Sequence, residues 1–136
     1  MTEARVQKVH ASRLDAQTHL DQAKKFQRDA DADLSAESRS VLLHNAAISA
    51  CDAILQAAGL RVTSGDGAHI LRLERAIAQL GVDTEDLLER LDASRSRRNE
   101  ASYAAMPVAE ASVDEAREAT AELIELAREF CHRPPS

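Results

Sequence analysis

Residues 36–59, AESRSVLLHNAAISACDAILQAAG, decide the fold. Beyond its first turn this stretch carries only Arg39 and Asp52 as strong charges, and the rest is Ala, Leu, Ile, Val and small polar residues. A helix that is apolar nearly all round belongs at the centre of a bundle, where every face meets a neighbour. Ser35 or Ser38 supplies the hydroxyl that caps its start, and Gly59 ends it. The pattern predicts a buried central helix from about Ala36 to Ala58.

The flanking segments are one-sided, as covering helices should be. Upstream, Val9, Ala16, Leu20, Ala23 and Ala30 recur at three- and four-residue steps among many charges, predicting an amphipathic helix from roughly Glu3 to Asp31. Downstream, RVTSGDGAH (residues 61–69) is the clear long loop, with Gly65 and Gly67 flanking Asp66. A third helix, His69 to Leu80, aligns Ile70, Leu73, Ile77 and Leu80 and stops at Gly81. Asp83 or Thr84 caps a fourth that runs through Ala105, ahead of Pro107. Ser112 with Glu115 forms a capping box for a fifth, whose inner face is Val113, Ala116, Thr120, Leu123, Ile124, Ala127 and Phe130. The expectation is an all-α, antiparallel helical bundle of four to five helices. It forms a single domain over residues 1–133, with a cover helix in 1–31, a core in 36–131 and a frayed tail at 134–136.

Composition agrees with that fold and excludes others. The chain has 136 residues, 44% hydrophobic but only 2% aromatic, so its core must be built from aliphatic residues and many alanines, which suits close helix packing and not a sheet. A net charge of −6 argues against a surface that coats nucleic acid or an anionic membrane. No apolar run approaches the ~20 residues of a membrane span, and the N-terminus is polar, so a cytoplasmic protein is expected. Cys51 and Cys131 lack CxxC spacing and read as packed thiols. Of the 17 Lys and Arg residues, 14 are Arg, which with the Ala and Asp richness fits a GC-rich bacterial genome.

Several features invite chemistry. Asp29, Asp31 and Asp33 alternate as in a calcium loop, but Leu34 stands where the loop needs Gly and Ser40 where it needs a bidentate Glu. The five histidines (His10, His19, His44, His69 and His132) show neither HExxH nor i,i+4 pairing, so no metal site is expected. The SGDG loop lacks the Gly-Lys-Ser/Thr of a phosphate loop and reads as a turn. On the central helix, Asn45, Ser49, Asp52 and Gln56 form a narrow polar stripe, which either faces water or lines a polar cleft or partner interface. On the fourth helix, Leu87, Leu88, Leu91, Arg95, Arg98 and Ser102 lie within about a 100° sector, so arginines are aimed where leucines were. Buried guanidinium groups need partners. Those are either carboxylates, Asp52 or a Glu of the fifth helix, or an anionic ligand in an open cleft.

At RSRRNEASY (residues 95–103) the chain resembles the HEPN superfamily (higher eukaryotes and prokaryotes nucleotide-binding), small helical bundles that often bear an Arg followed four to six residues later by His. Arg98 takes the arginine position and Tyr103 stands in place of the histidine. A prokaryotic branch with the motif Arg-x-x-Ala-Asp-Tyr is matched at Arg98, Ala101 and Tyr103, with Ser102 for the Asp. The run ILQAAGL, His69 after a polar loop and the Glu-rich last helix accompany the match, which covers about residues 36–131. The resemblance implies a homodimer, and roles in RNA cleavage, nucleotide binding, or toxin–antitoxin and defence systems. It also implies a nucleotidyltransferase-type protein as a possible partner.

Tyrosine, with an ordinary pKa near 10, is a poor base at neutral pH, so the leading expectation is a non-catalytic module. Such a module would bind a nucleotide, RNA or a protein partner through Arg95, Arg98, Asn99, Ser102 and Tyr103, with Asn45 and Asp52 contributing and with no cofactor or metal. The alternatives are a metal-independent endoribonuclease toxin and a scaffold or antitoxin-like partner. The toxin would work through Arg98 and either Tyr103 or a histidine brought from elsewhere, such as His44. In the scaffold, the arginines are internal ion pairs.

Overall fold

The computed structural model describes residues 2–81, 86–94 and 108–133. The chain runs through β1 (Val6–Lys8), α1 (Arg13–Asp29), α2 (Ala36–Ala57), β2 (Leu60–Val62), α3 (Ala68–Gln79), a helix over residues 86–94 designated α4, and α5 (Glu110–Cys131). It is a helical bundle with one small two-stranded sheet. No described helix is long and apolar enough to cross a membrane.

α2 is the axis of the bundle, touching α1, α3, α5 and β2. Ser35 begins it, accepting a hydrogen bond from the Ser38 N–H at 3.1 Å, and Gly59 leaves it with φ 76°. Ala46, Ala50, Ala53 and Ile54 on α2, Ala16, Leu20 and Ala23 on α1, and Ala119, Leu123 and Ala127 on α5 have no exposed surface. Alanine at so many inner positions lets helix backbones approach closely and concentrates the apolar burial in few large side chains. Cys51 and Cys131 are free and buried, and the Cys131 thiol points at the Ala53 carbonyl, 3.6 Å away.

The first helix begins at Arg13, ten residues later than its periodicity predicts. Ser12 is extended and caps it, its hydroxyl accepting from the Asp15 N–H at 3.1 Å. Residues before it form β1, antiparallel to β2 with Val6 opposite Val62 and Lys8 opposite Leu60. The cause is a partner distant in sequence. Val9 N–H donates to the Gly59 carbonyl at 2.9 Å, Thr63 N–H to Arg5 at 2.9 Å and Ala4 N–H to Asp66 at 3.0 Å, so the arm's backbone is satisfied across the chain, not along it. Of the loop expected over residues 61–69, residues 61 and 62 belong to β2 and residues 68 and 69 to α3.

α5 also starts differently. Ala109, the extended residue that precedes it, offers no side-chain cap, and Ser112 falls inside the first turn, so the expected capping box does not form. Tertiary contacts replace it: the Glu37 carboxylate accepts the Val108 N–H at 3.2 Å, and Arg39 pairs with Glu110. The inner face of α5 is as expected except that Phe130 is only half-buried and Cys131 joins the core.

Candidate functional site

One strip of α2 borders a small gap in the packing. Ser40, Leu43, His44, Ala47, Ile48 and Cys51 recur at three- and four-residue steps and floor a cavity of about 40 Å³. His69 and Leu73 of α3, Leu91 and Ser94 of α4, and Ala116 and Thr120 of α5 wall it. Ala47 and Ala116 are too short to fill the gap between four helices, which is why it exists. Its surface is mainly apolar, with polar groups from separate elements converging on it, the usual constitution of a ligand site.

The lining of this cavity includes a histidine pair, His44 half-buried and His69 exposed. The rings of His44 and His69 meet edge to face, with centroids 5.2 Å apart and planes at 62°. His69 is the second residue of α3, delivered by a turn whose last residue, Gly67, has φ +77°, a left-handed conformation that suits glycine. His44 projects from the middle of α2. Both residues make further interactions in the fold. Among the described residues, the hydroxyls of Ser40, Ser94 and Thr120 add to the polar lining. Cys51 adds a neutral wall: burial pushes its thiol up to about 12, which excludes thiolate chemistry at ordinary pH.

Of the residues expected to bind a ligand, Asn45 and Asp52 are described, and neither lines this cavity. Asp52 faces α3, where its Oδ1 lies 2.8 Å from Arg72 Nε. Burial raises the Asp52 carboxyl above its ordinary value, against the opposing pull of the Arg72 guanidinium and of His19 and His69. Farther along the same stripe, Gln56 donates to the His10 carbonyl at 3.2 Å, and Ser49 is buried. The stripe therefore ties α2 to α3 and to the N-terminal arm, which corrects the water-facing reading. Arg95, Arg98, Asn99, Ser102 and Tyr103 lie outside the described residues. Up to Ser94 the helix behaves as its leucines predict, with Leu87 and Leu91 buried and Leu88 half-buried.

The meeting of His44 and His69 is what sequence reasoning missed. Each was weighed singly, His44 as a substitute base and His69 as a first-turn residue. The available signal was that His44 falls on the same helical strip as Leu43, Ala47 and Cys51.

A second groove, of about 430 Å³, lies between α4 and α5 among Asp86, Glu89, Arg90, Glu115 and Glu118. Its arginine is committed: Arg90 pairs with Asp86 at 2.9 Å and with Glu122. This side of the bundle repels anions. Among the described residues no group of three or more His, Cys, Asp or Glu is placed to hold a metal. Comparison with models of known protein families, with curated proteins and with solved structures returned no match.

Proposed function

We propose that the chain is a non-catalytic, HEPN-type helical module that binds a nucleotide or RNA terminus at the cavity between α2, α3, α4 and α5. One observation carries this reading: the cavity that gathers His44 and His69 also includes Ser94, and in the sequence Ser94 runs directly into the arginine segment RSRRNEASY. Imidazole and hydroxyl donors with arginines following are a set suited to phosphate and base edges. With a net charge of −6, binding to long RNA would rest on few cations and fall steeply with salt, which favours a small nucleotide or a chain end. A homodimer, with a protein partner of nucleotidyltransferase type and a place in a toxin–antitoxin or defence system, accompanies this reading on the resemblance alone.

The experiment is a thermal-shift and calorimetric titration with nucleotides and short RNA at low salt, on the parent chain, on Ala47→Met, which fills the cavity, and on Arg98→Ala. Ligand-induced stabilisation that both substitutions remove supports the reading. Absence of any stabilisation by nucleotides or RNA in the parent overturns it.

The histidine pair also favours a second reading, a metal-independent endoribonuclease in which two imidazoles supply the proton acceptor and donor that Tyr103 cannot. Cleavage of RNA in the presence of a chelator, lost in both His44→Ala and His69→Ala, would select it over the binding module.

A further inference from the structure

We infer that the open edge of β1 is a docking strand for an extended, acidic segment of a partner protein, which joins the two-stranded sheet as a third strand. The hydrogen-bond pattern fixes which edge is open. Thr63 N–H donates to the Arg5 carbonyl and Val9 N–H to the Gly59 carbonyl, each at 2.9 Å, so the odd-numbered residues of the arm direct their backbone groups at β2. In an antiparallel ladder the intervening residues face the other way. The N–H and C=O groups of Val6 and Lys8, opposite Val62 and Leu60, therefore point away from β2. β1 touches β2 and none of α1, α2, α3 or α5, so none of these helices lies along that side. An open edge of this kind is a template for another strand.

Charge then selects the occupant. Residues 4–14 and 53–65 carry Arg5, Lys8, Arg13 and Arg61 and no Asp or Glu, in a chain whose net charge is −6. Arg13 donates to the Arg133 carbonyl at 2.8 Å. Arg5, Lys8 and Arg61 are exposed, and among the described residues none of them is ion-paired, whereas Arg39, Arg72, Arg90, Arg117 and Arg128 all are. Carboxylates bound the patch at its far end, where Glu3 lies opposite Asp66.

The faces of the sheet place these cations. Val62 is buried, so the face it shares with Val6 turns to the core, and Lys8 at the margin of that face stays exposed. Arg5 and Arg61 stand on the outer face. A strand added about 4.8 Å from β1 sets its outer side chains beside Arg5 and its inner ones beside Lys8, where carboxylates meet unpaired cations. Lysine on an open edge also deters neutral and basic strands, so the residue that admits an acidic segment rejects others. An RNA strand fits less well: alternating backbone donors and acceptors match a peptide, and the outer face offers Arg5, Gln7, Arg61 and Thr63 but no aromatic ring on which a base could stack. None of these residues lines the cavity, so the docking strand does not depend on nucleotide binding.

The test is calorimetry and NMR-detected amide hydrogen exchange of the full chain with four probes: a short capped peptide of alternating Glu and Val, the same peptide N-methylated along its backbone, a peptide of alternating Lys and Val, and a short uridine oligonucleotide. The Glu–Val peptide should bind, and should bind about tenfold more weakly to the double variant Arg5→Glu, Lys8→Glu. In the parent chain it should slow exchange at the Val6 and Lys8 amides and leave Val9 and Thr63, already bonded to the facing strand, as they were. That readout is independent of how the variant folds. Failure of the Glu–Val peptide to bind, equal binding of the N-methylated or the Lys–Val peptide, or unchanged exchange at Val6 and Lys8 overturns the docking strand. An oligonucleotide that binds through Arg5 and Lys8 while the peptide does not overturns it as well and assigns the patch to nucleic acid.

Discussion

Arg72 and Asp52 are joined across the α2–α3 seam with Nε and Oδ1 2.8 Å apart, the Arg72 side chain 17% and the Asp52 side chain 31% exposed. The two partners are not equivalent. Burial leaves the Asp52 carboxyl with a raised pKa, so its ionised form is the less well accommodated, and Arg72 is what makes it tolerable.

Unequal consequences of removing each partner should follow. A carboxyl whose folded value exceeds its unfolded value contributes stability at low pH that is lost as pH rises from the ordinary 3.8 through the folded value. Asp52→Asn abolishes that titration and should leave stability at neutral pH within about 1 kcal/mol of the parent, or above it, with a flatter profile in this window. Arg72→Met strips a half-buried carboxylate of its partner and should cost about 1–3 kcal/mol at neutral pH and less in acid. Denaturant unfolding across pH measures both; an Asp52→Asn loss as large as that of Arg72→Met would refute the asymmetry.

The two thiols should be silent in the folded chain. Burial holds Cys51 at about 12 and also raises Cys131. An aromatic disulfide reagent should find neither quickly under native conditions and both once denaturant is added. A fast native thiol would show that the cavity wall opens.

Gly65 and Gly67 should respond differently to alanine. At Gly65, φ is +142° and an added Cβ would lie 2.4 Å from the Thr2 carbonyl oxygen; at Gly67, φ is +77° and the space is open. Gly67→Ala should cost about 1–2 kcal/mol from backbone strain alone. Gly65→Ala should detach the N-terminal arm, seen as faster hydrogen exchange at Val9 and Thr63, whose amides donate across the arm, with the α2 core still protected. Equal exchange in the two variants would remove the arm's dependence on Gly65.

Ser12→Ala and Ser35→Ala should each lower stability by about 1 kcal/mol, since each hydroxyl accepts from an otherwise unmet amide at 3.1 Å. Ser112→Ala, inside its helix, should change stability by less than about 0.5 kcal/mol. Equilibrium unfolding ranks the three.

What sequence could carry was local. The α2 axis, with its Ser35 cap and Gly59 stop, is written in adjacent residues, and so are the α3 boundaries to within one position. β1 was invisible because its partner Val62 stands far along the chain from Val6. The start of α5 was misread because Glu37 and Arg39, from another helix, do the work assigned to Ser112. The candidate site divides in the same way: the leucine face of α4 is legible in its spacing, but the contact between His44 and His69 arises only when two helices meet.

The alanine seam between α1, α2 and α5 limits how this chain can vary over time. Where Ala16, Ala23, Ala46, Ala50 and Ala53 abut with no exposed surface, a larger residue would wedge the helices apart and glycine would loosen them. Substitution is thereby steered off the axis, toward the outer faces and toward the strip around His44 that borders the small gap between helices. In a lineage of such proteins, novelty in ligand preference has one inexpensive place to arise.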